Sequence, residues 1–189
     1  MTKGRLEAFS DGVLAIIITI MVLELKVPHG TDLEALNPLI PVFLSYVLSF
    51  VFLGIYWNNH HHLLQAASTV TGGILWANLH LLFWLSLVPF VTGWMGENNF
   101  AALPVACYGV VLLMASIAFF ILAHTLVARH GNDSTLGIAI GADRKGKVSI
   151  LIYAVAIPIA LVAPLLACAI FVLMALMWLV PDRRIEKSL

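Results

Sequence analysis

The sequence predicts an all-α, polytopic integral membrane protein in which six spanning helices form a single domain over residues 1–189. Composition, the spacing of the apolar runs and the side on which the basic residues fall all point to it. The chain is 61% hydrophobic and 11% charged, with a mean hydropathy of +1.00. An ordinary globular domain has roughly 45–50% apolar and about 25% charged residues. A core of this size cannot bury so much apolar surface, so the remainder needs lipid as its solvent. Ten Lys+Arg balance ten Asp+Glu, and net charge therefore gives no reason to bind nucleic acid. Cys107 and Cys168 sit inside apolar runs and read as small hydrophobes, not as a disulfide framework.

A spanning helix needs about 20 mostly apolar residues. The runs 9–26, 38–60, 69–92 and 100–128 meet that need. In the first, Ser10 and Asp11 could cap a helix beginning at Gly12. Such a helix would end near Leu25 after about 14 residues, roughly 21 Å, short of a hydrocarbon core of about 30 Å. The helix is therefore expected to begin before Arg5, with Asp11 in its body. A cleaved signal peptide is disfavoured, because Glu7 and Asp11 interrupt the basic region and no small-x-small site precedes Pro28.

The breaks carry turn chemistry: Pro28, Gly30 and Asn37-Pro38 after the first run, and Gln65, Ser68 and Thr69 after the second. Gly93, Gly96, Glu97, Asn98 and Asn99 follow the third. The fourth ends at Arg129-His130-Gly131-Asn132-Asp133, and a polar loop is expected to reach Lys147. The 33 residues from Val148 to Val180 are too many for one upright helix, and Ala163-Pro164 marks a break near their middle. Charge supports the split. With six spans, Lys3, Arg5, Arg129, Arg144, Lys145, Lys147, Arg183, Arg184 and Lys187 share one side, and Lys26 alone lies opposite. With five spans the division is six to four. The positive-inside rule favours six spans with both termini cytoplasmic. Trp94, Tyr153 and Trp178 are expected near helix ends as interfacial anchors.

Two polar clusters could carry chemistry. The first is Arg5-Leu6-Glu7-Ala8-Phe9-Ser10-Asp11-Gly12. Ionisable groups in or at a membrane are costly and need partners, so Asp11 calls for a structural polar network or a part in transport. At about 100° per residue, Gly12, Ile16, Thr19 and Leu23 share one strip with Ile20 on its flank, and Asp11 projects elsewhere. On periodicity alone such a strip faces lipid or core more often than a pore. The second cluster is Trp57-Asn58-Asn59-His60-His61-His62, with Asn78 and His80 in the next run. Three consecutive histidines point in three directions and cannot all ligate one metal ion. One of them with His80 or His124 leaves room for a metal or haem site, although hydrogen bonding between helices explains the cluster more simply. Gly141-Ala142-Asp143-Arg144-Lys145-Gly146-Lys147 has the spacing of a phosphate-binding loop, but Val148 stands where Ser or Thr should hold magnesium. No nucleophile elbow, zinc-protease motif or carbonyl filter run is present.

Arg5-x-x-x-Phe9-Ser10-Asp11, continuing through Gly12 to Thr19, resembles the first-helix signature of the transmembrane protein 175 family of potassium channels. Trp57-x-x-His60-His61, Asn78-Leu79, Leu87-Val88-Pro89-Phe90 and Pro181-Asp182-Arg183-Arg184 extend the resemblance over most of the chain, and a single six-helix unit resembles the bacterial branch. The resemblance implies a homotetramer in which four first helices surround a potassium path, with no cofactor and no enzymatic activity, in a bacterial plasma membrane. Ile16 would form the constriction, and Thr19, Ile20 and Leu23 would continue the lining. Arg5, Phe9, Ser10 and Asp11 would belong to a polar network with Trp57, His60 or His61, and Asn78. An aliphatic ring gates by dewetting and discriminates by the cost of stripping water, which implies weak potassium selectivity. The residues leave two alternatives open: a proton-coupled transporter using Asp11 and His60 to His62, and a membrane metal or haem enzyme.

Overall fold

The computed structural model describes residues 2–131, 133–141 and 143–179. The sequence matches at Pro181, Asp182, Arg183 and Arg184 and the basic Lys187 lie outside the described residues. Helix α1 runs Lys3–Leu23, a 3-10 segment Leu33–Leu39, α2 Ile40–Gln65, α3 Gly72–Ser86 and α4 Val88–Glu97. They are followed by α5 Ala102–His130, α6 Thr135–Ile140, α7 Arg144–Val162 and α8 Pro164–Leu179. Among the described residues, five stretches are long and apolar enough to cross a membrane, with α3 and α4 counted as one, and α8 is a shorter sixth. Their order is the one the sequence predicts.

Helix α1 begins at Lys3, ahead of Arg5, and its 21 residues span roughly 31 Å at 1.5 Å per residue. Ser10 and Asp11 thus lie inside the helix and cap nothing. The long C-terminal run divides where expected: α7 ends at Val162, and α8 starts at Pro164 after Ala163 leaves helical geometry (φ −145°). The two helices fold back as a hairpin. Tyr153 meets Phe171 with ring centroids 6.3 Å apart, and Trp178 Nε1 donates to Ser149 Oγ at 2.9 Å.

Three expectations need correction. The third span does not stop near residue 92: it breaks at Leu87 and continues as α4 to Glu97, through Gly93 and Gly96. Proline lacks the N–H that a continuous ladder would need, and Pro89 opens α4. Gly96 belongs to the helix because it lets α2 come close. A Cβ added there would stand 2.5 Å from Ser45 Oγ and 2.7 Å from Val42 Cα. The turn comes one step later, where Asn99 (φ 49°) and Phe100 (φ 58°) take left-handed conformations. Second, the stretch toward Lys147 contains α6, and α7 already starts at Arg144, capped by the Asp143 carboxylate accepting from Gly146 N at 3.1 Å. The basic residues with phosphate-loop spacing are therefore helical. Third, Tyr153 is no interfacial anchor: it is buried one-half of the way along α7.

Helix α5 is the hub, packing on α3, α4, α7 and α8, whereas α1 rests mainly on α2, α3 and α4. Leu53, Leu64, Ile74, Leu81, Leu112 and Leu122 are fully buried in the core. The bundle has two distinct ends. At one, Lys3 Nζ donates to Gln65 O at 2.8 Å and His130 Nε2 accepts from Ser68 N and Thr69 N. At the far end, Lys26 Nζ meets Glu97 Oε1 at 2.6 Å. Replacing Gly96 by Ala forces α2 and α4 apart and is expected to cost about 1–3 kcal/mol. Thermal unfolding of the detergent-solubilised protein would read this as a lower Tm, and an unchanged Tm would mean that the two helices are not pressed together at Gly96.

Candidate functional site

Helix α1 has two opposed faces. Leu6, Ser10, Leu14, Ile17 and Met21 are buried against the bundle, and at 100° per residue they cluster on one side of the helix. Gly12, Ile16, Thr19 and Leu23 lie on the other side. Ile16 is 61% and Leu23 75% exposed, against 1% for Leu14 and 4% for Ile17. Ile20, on the flank, is also exposed. Nothing within 4 Å would meet a Cβ on Gly12. Thr19 turns its hydroxyl inward along the helix, donating to Ala15 O at 2.8 Å, so the strip presents little polar capacity. Toward the far end the strip borders a groove between α1 and α4, where Ile16 and Ile20 face Pro89 and Phe90. Glu24 and Glu97 line the same groove.

The buried face of α1 is held by a directional chain of hydrogen bonds. Ser10 Oγ donates to Leu6 O at 2.9 Å, which uses its one proton, so it must accept from Asn78 Nδ2 at 3.0 Å. That fixes the amide orientation and turns Asn78 Oδ1 toward His60 Nε2 at 2.6 Å. A carbonyl oxygen only accepts, and His60 therefore carries its proton on Nε2. Ser10, His60 and Asn78 are all buried, and the chain joins α2 and α3 to α1. A second bond ties the same helix from outside: Trp57 Nε1 donates to Asp11 Oδ1 at 3.0 Å. Trp57 in turn stacks on His61, with centroids 6.0 Å apart and planes inclined by 24°.

The structure thus joins Ser10, Asn78 and His60, joins Asp11 to Trp57, and leaves His61 as a stacking partner. Arg5 and Phe9 are exposed, and Arg5 makes no side-chain hydrogen bond or ion pair among the described residues. Arg5 stands seven residues before Gly12, close to the angle of the open strip, which is why it turns away from the network. His62 sits edge-on to His61, with centroids 5.6 Å apart, and its Nδ1 is buried without a hydrogen-bond partner among the described residues. His80 Nε2 accepts from Trp84 Nε1 at 2.9 Å, and His124 Nδ1 lies 2.9 Å from Phe120 O.

Two features escape the sequence reading. Ser49 Oγ lies 2.6 Å from Thr92 Oγ1 and 3.0 Å from the Tyr108 hydroxyl, forming a buried bridge between α2, α4 and α5. Isolated hydroxyls in apolar runs are its only sequence signal. The other is the Lys26–Glu97 pair, which joins the end of α1 to the end of α4. Its hydrogen bond and the Glu97 charge raise the Lys26 pKa. The lysine is therefore charged at neutral pH, and its half of the pair is lost only in the alkaline range, as pH climbs through the raised lysine value.

The fold and the site define a polytopic helical membrane protein whose first helix is anchored on its back and bare along its front. Residues 5–89 match the family model described as endosomal/lysosomal potassium channel TMEM175. A potassium channel of Chryseobacterium sp. is 56% identical over 189 residues, covering 100% of this chain and 98% of that protein. The chain belongs to the TMEM175 family. A potassium channel of Streptomyces collinus is 35% identical over 125 residues, 62% of this chain and 61% of the relative. A Gallus gallus protein named endosomal/lysosomal proton channel TMEM175 is 33% identical over 138 residues, 64% of this chain but 27% of the relative. The crystal structure of a lysosomal potassium-selective channel TMEM175 homologue from Chamaesiphon minutus superposes with a TM-score of 0.80 at 28% identity, covering 95% of this chain and 97% of that one.

Removing the Ser10 hydroxyl strands the buried Asn78 amide, at an expected cost of about 1–3 kcal/mol. Trp57→Phe breaks a bond to the exposed Asp11, where water can substitute. Thermal unfolding of Ser10→Ala and Trp57→Phe should therefore show the larger loss for Ser10→Ala, and equal losses would contradict the directional chain.

Proposed function

We propose that the chain is one subunit of a homotetrameric, potassium-permeable cation channel of the bacterial plasma membrane, with both termini cytoplasmic. The opposition of faces on α1 carries this reading: a helix fixed from behind by hydrogen bonds exposes an unbroken aliphatic strip. One such strip cannot enclose an ion path, and four related by a central axis can. Ile16 then forms the narrowest ring, and Thr19, Ile20 and Leu23 line the path toward the far end. Family membership and the relatives named potassium channels support potassium as the ion. The basic residues at the Lys3 end, against Lys26 alone at the far end, support the orientation. Arg5 and Phe9, both exposed in the single chain, meet the neighbouring subunit.

An aliphatic ring offers no oxygen ligands to replace water around an ion. It closes by dewetting and opens when it widens enough to stay wet. Potassium gives up water more readily than sodium, so a ring of this kind favours potassium weakly. Ser10, Asn78, His60, Asp11 and Trp57 keep α1 at the angle that defines the ring. The chain from His60 ends on the Leu6 carbonyl and passes through an amide, an arrangement that supports a structural role over a proton relay.

Potassium flux from proteoliposomes, with sodium and caesium as comparators, tests the proposal. Wild-type protein should release potassium faster than sodium, and Ile16→Asn should raise conductance and erode that preference. Unchanged flux and selectivity in Ile16→Asn would remove Ile16 as the constriction, and uptake that follows only a pH gradient would point to a transporter.

A further inference from the structure

We propose that Tyr108, Ser49 and Thr92 are positioning residues that set the angle of α4, and through it the far half of α1. This inference rests on the reading of α1 as the pore helix. Thr92 Oγ1 donates to Val88 O at 2.6 Å, so its oxygen accepts from Ser49 Oγ. Ser49, having spent its proton, accepts from the Tyr108 hydroxyl. The bonds therefore run in one direction from α5 through α2 to α4, and all three side chains are buried.

What gives this chain a function beyond packing is the break at Leu87. The backbone ladder of α3 does not continue into α4, because Pro89 has no N–H to offer. Leu87 itself stays helical and its carbonyl accepts from Val91 N at 3.2 Å, so the step loosens the tilt of α4 without detaching it from the helix before it. Directional bonds between helices add orientational preference to that of side-chain packing inside a membrane. The hydroxyl chain selects one setting of α4, and the close approach at Gly96 against Ser45 and Val42 leaves no room for α4 to move nearer to α2. Helix α4 acts on α1 at two places. Pro89 and Phe90 border the groove that holds Ile16 and Ile20, and Glu97 grips Lys26 just beyond the end of α1. A shift of α4 therefore moves the far half of the proposed path, while the Ser10–Asn78–His60 chain fixes the other half. The three hydroxyl residues are buried behind the open strip, so they act on how often the ring opens and not on the open ring or the ions that pass it.

Single-channel recording in planar bilayers separates these roles, since it reads open probability apart from unit conductance and ion preference. Thr92→Val removes the hydroxyl at nearly constant shape and is expected to change open probability about 2- to 12-fold, the ratio equivalent to one hydrogen bond of ordinary net strength. Unit conductance and the potassium-to-sodium permeability ratio should stay at wild-type values. Thr92→Ser keeps the hydroxyl and should restore wild-type gating. Tyr108→Phe should shift open probability in the same direction, and the double variant should shift it by less than the product of the two. If Thr92→Val does not assemble, Tyr108→Phe carries the test. Wild-type open probability in Tyr108→Phe and Thr92→Val, or a Thr92→Ser protein as altered as Thr92→Val, would overturn the proposal. A wild-type protein that passes no current would overturn the pore reading and this inference with it.

Discussion

A polar group placed in a membrane helix has to find its partner inside the protein, because lipid offers none. In this chain that constraint is met by Ser10, Asn78 and His60, and the rest of the architecture follows from it. Ser10 lies on the buried side of α1, and its bond to Asn78 locks that side against α3 and α2. Once the polar side is fixed inward, the period of the helix leaves Gly12, Ile16, Thr19 and Leu23 facing out. The open strip is thus a consequence of where the polar atoms went. Asp11, between the two faces, is satisfied laterally by Trp57.

A hydrophobic path needs rigid support more than it needs chemistry of its own. On the proposed reading no ligand shell on Ile16 selects an ion, so the width of the open ring sets preference and the balance between narrow and wide rings sets gating. Support comes from behind at two levels. One level is the Ser10–Asn78–His60 chain in the half near Lys3, and the other is the Tyr108–Ser49–Thr92 chain acting through α4. Both run in one direction and both end on a helix carbonyl, Leu6 O and Val88 O. Ser10, Ser49 and Thr92 each both donate and accept, and pairing of this kind is what makes a buried polar chain stabilising instead of costly.

Much of this was legible in the sequence. Apolar run lengths gave the spans, the Ala163-Pro164 step gave the hairpin, and length alone placed the start of α1 before Arg5. The angular separation of Asp11 from the Ile16 strip needed only the helical period. Other features depend on tertiary contact. Gly93 and Gly96 look like turn residues until α2 is seen pressed against Gly96. Arg5 joins Ser10 and Asp11 in one motif, yet seven residues from Gly12 bring it to the open face, away from the hydrogen bonds. Ser49, Thr92 and Tyr108 stand on three separate helices, and no spacing along the chain brings them together.

The central claim is that the exposed strip of α1 faces water in the assembled protein and not lipid. Single cysteines placed in turn at positions 12 to 23, with Cys107 and Cys168 replaced by alanine, can be treated with a charged, water-soluble thiol reagent in proteoliposomes. The claim predicts modification at Gly12→Cys, Ile16→Cys, Thr19→Cys and Leu23→Cys, loss of potassium flux on modification, and protection at Leu14→Cys and Ile17→Cys. An unreactive strip, or a strip that reacts while potassium flux continues unchanged, would contradict it.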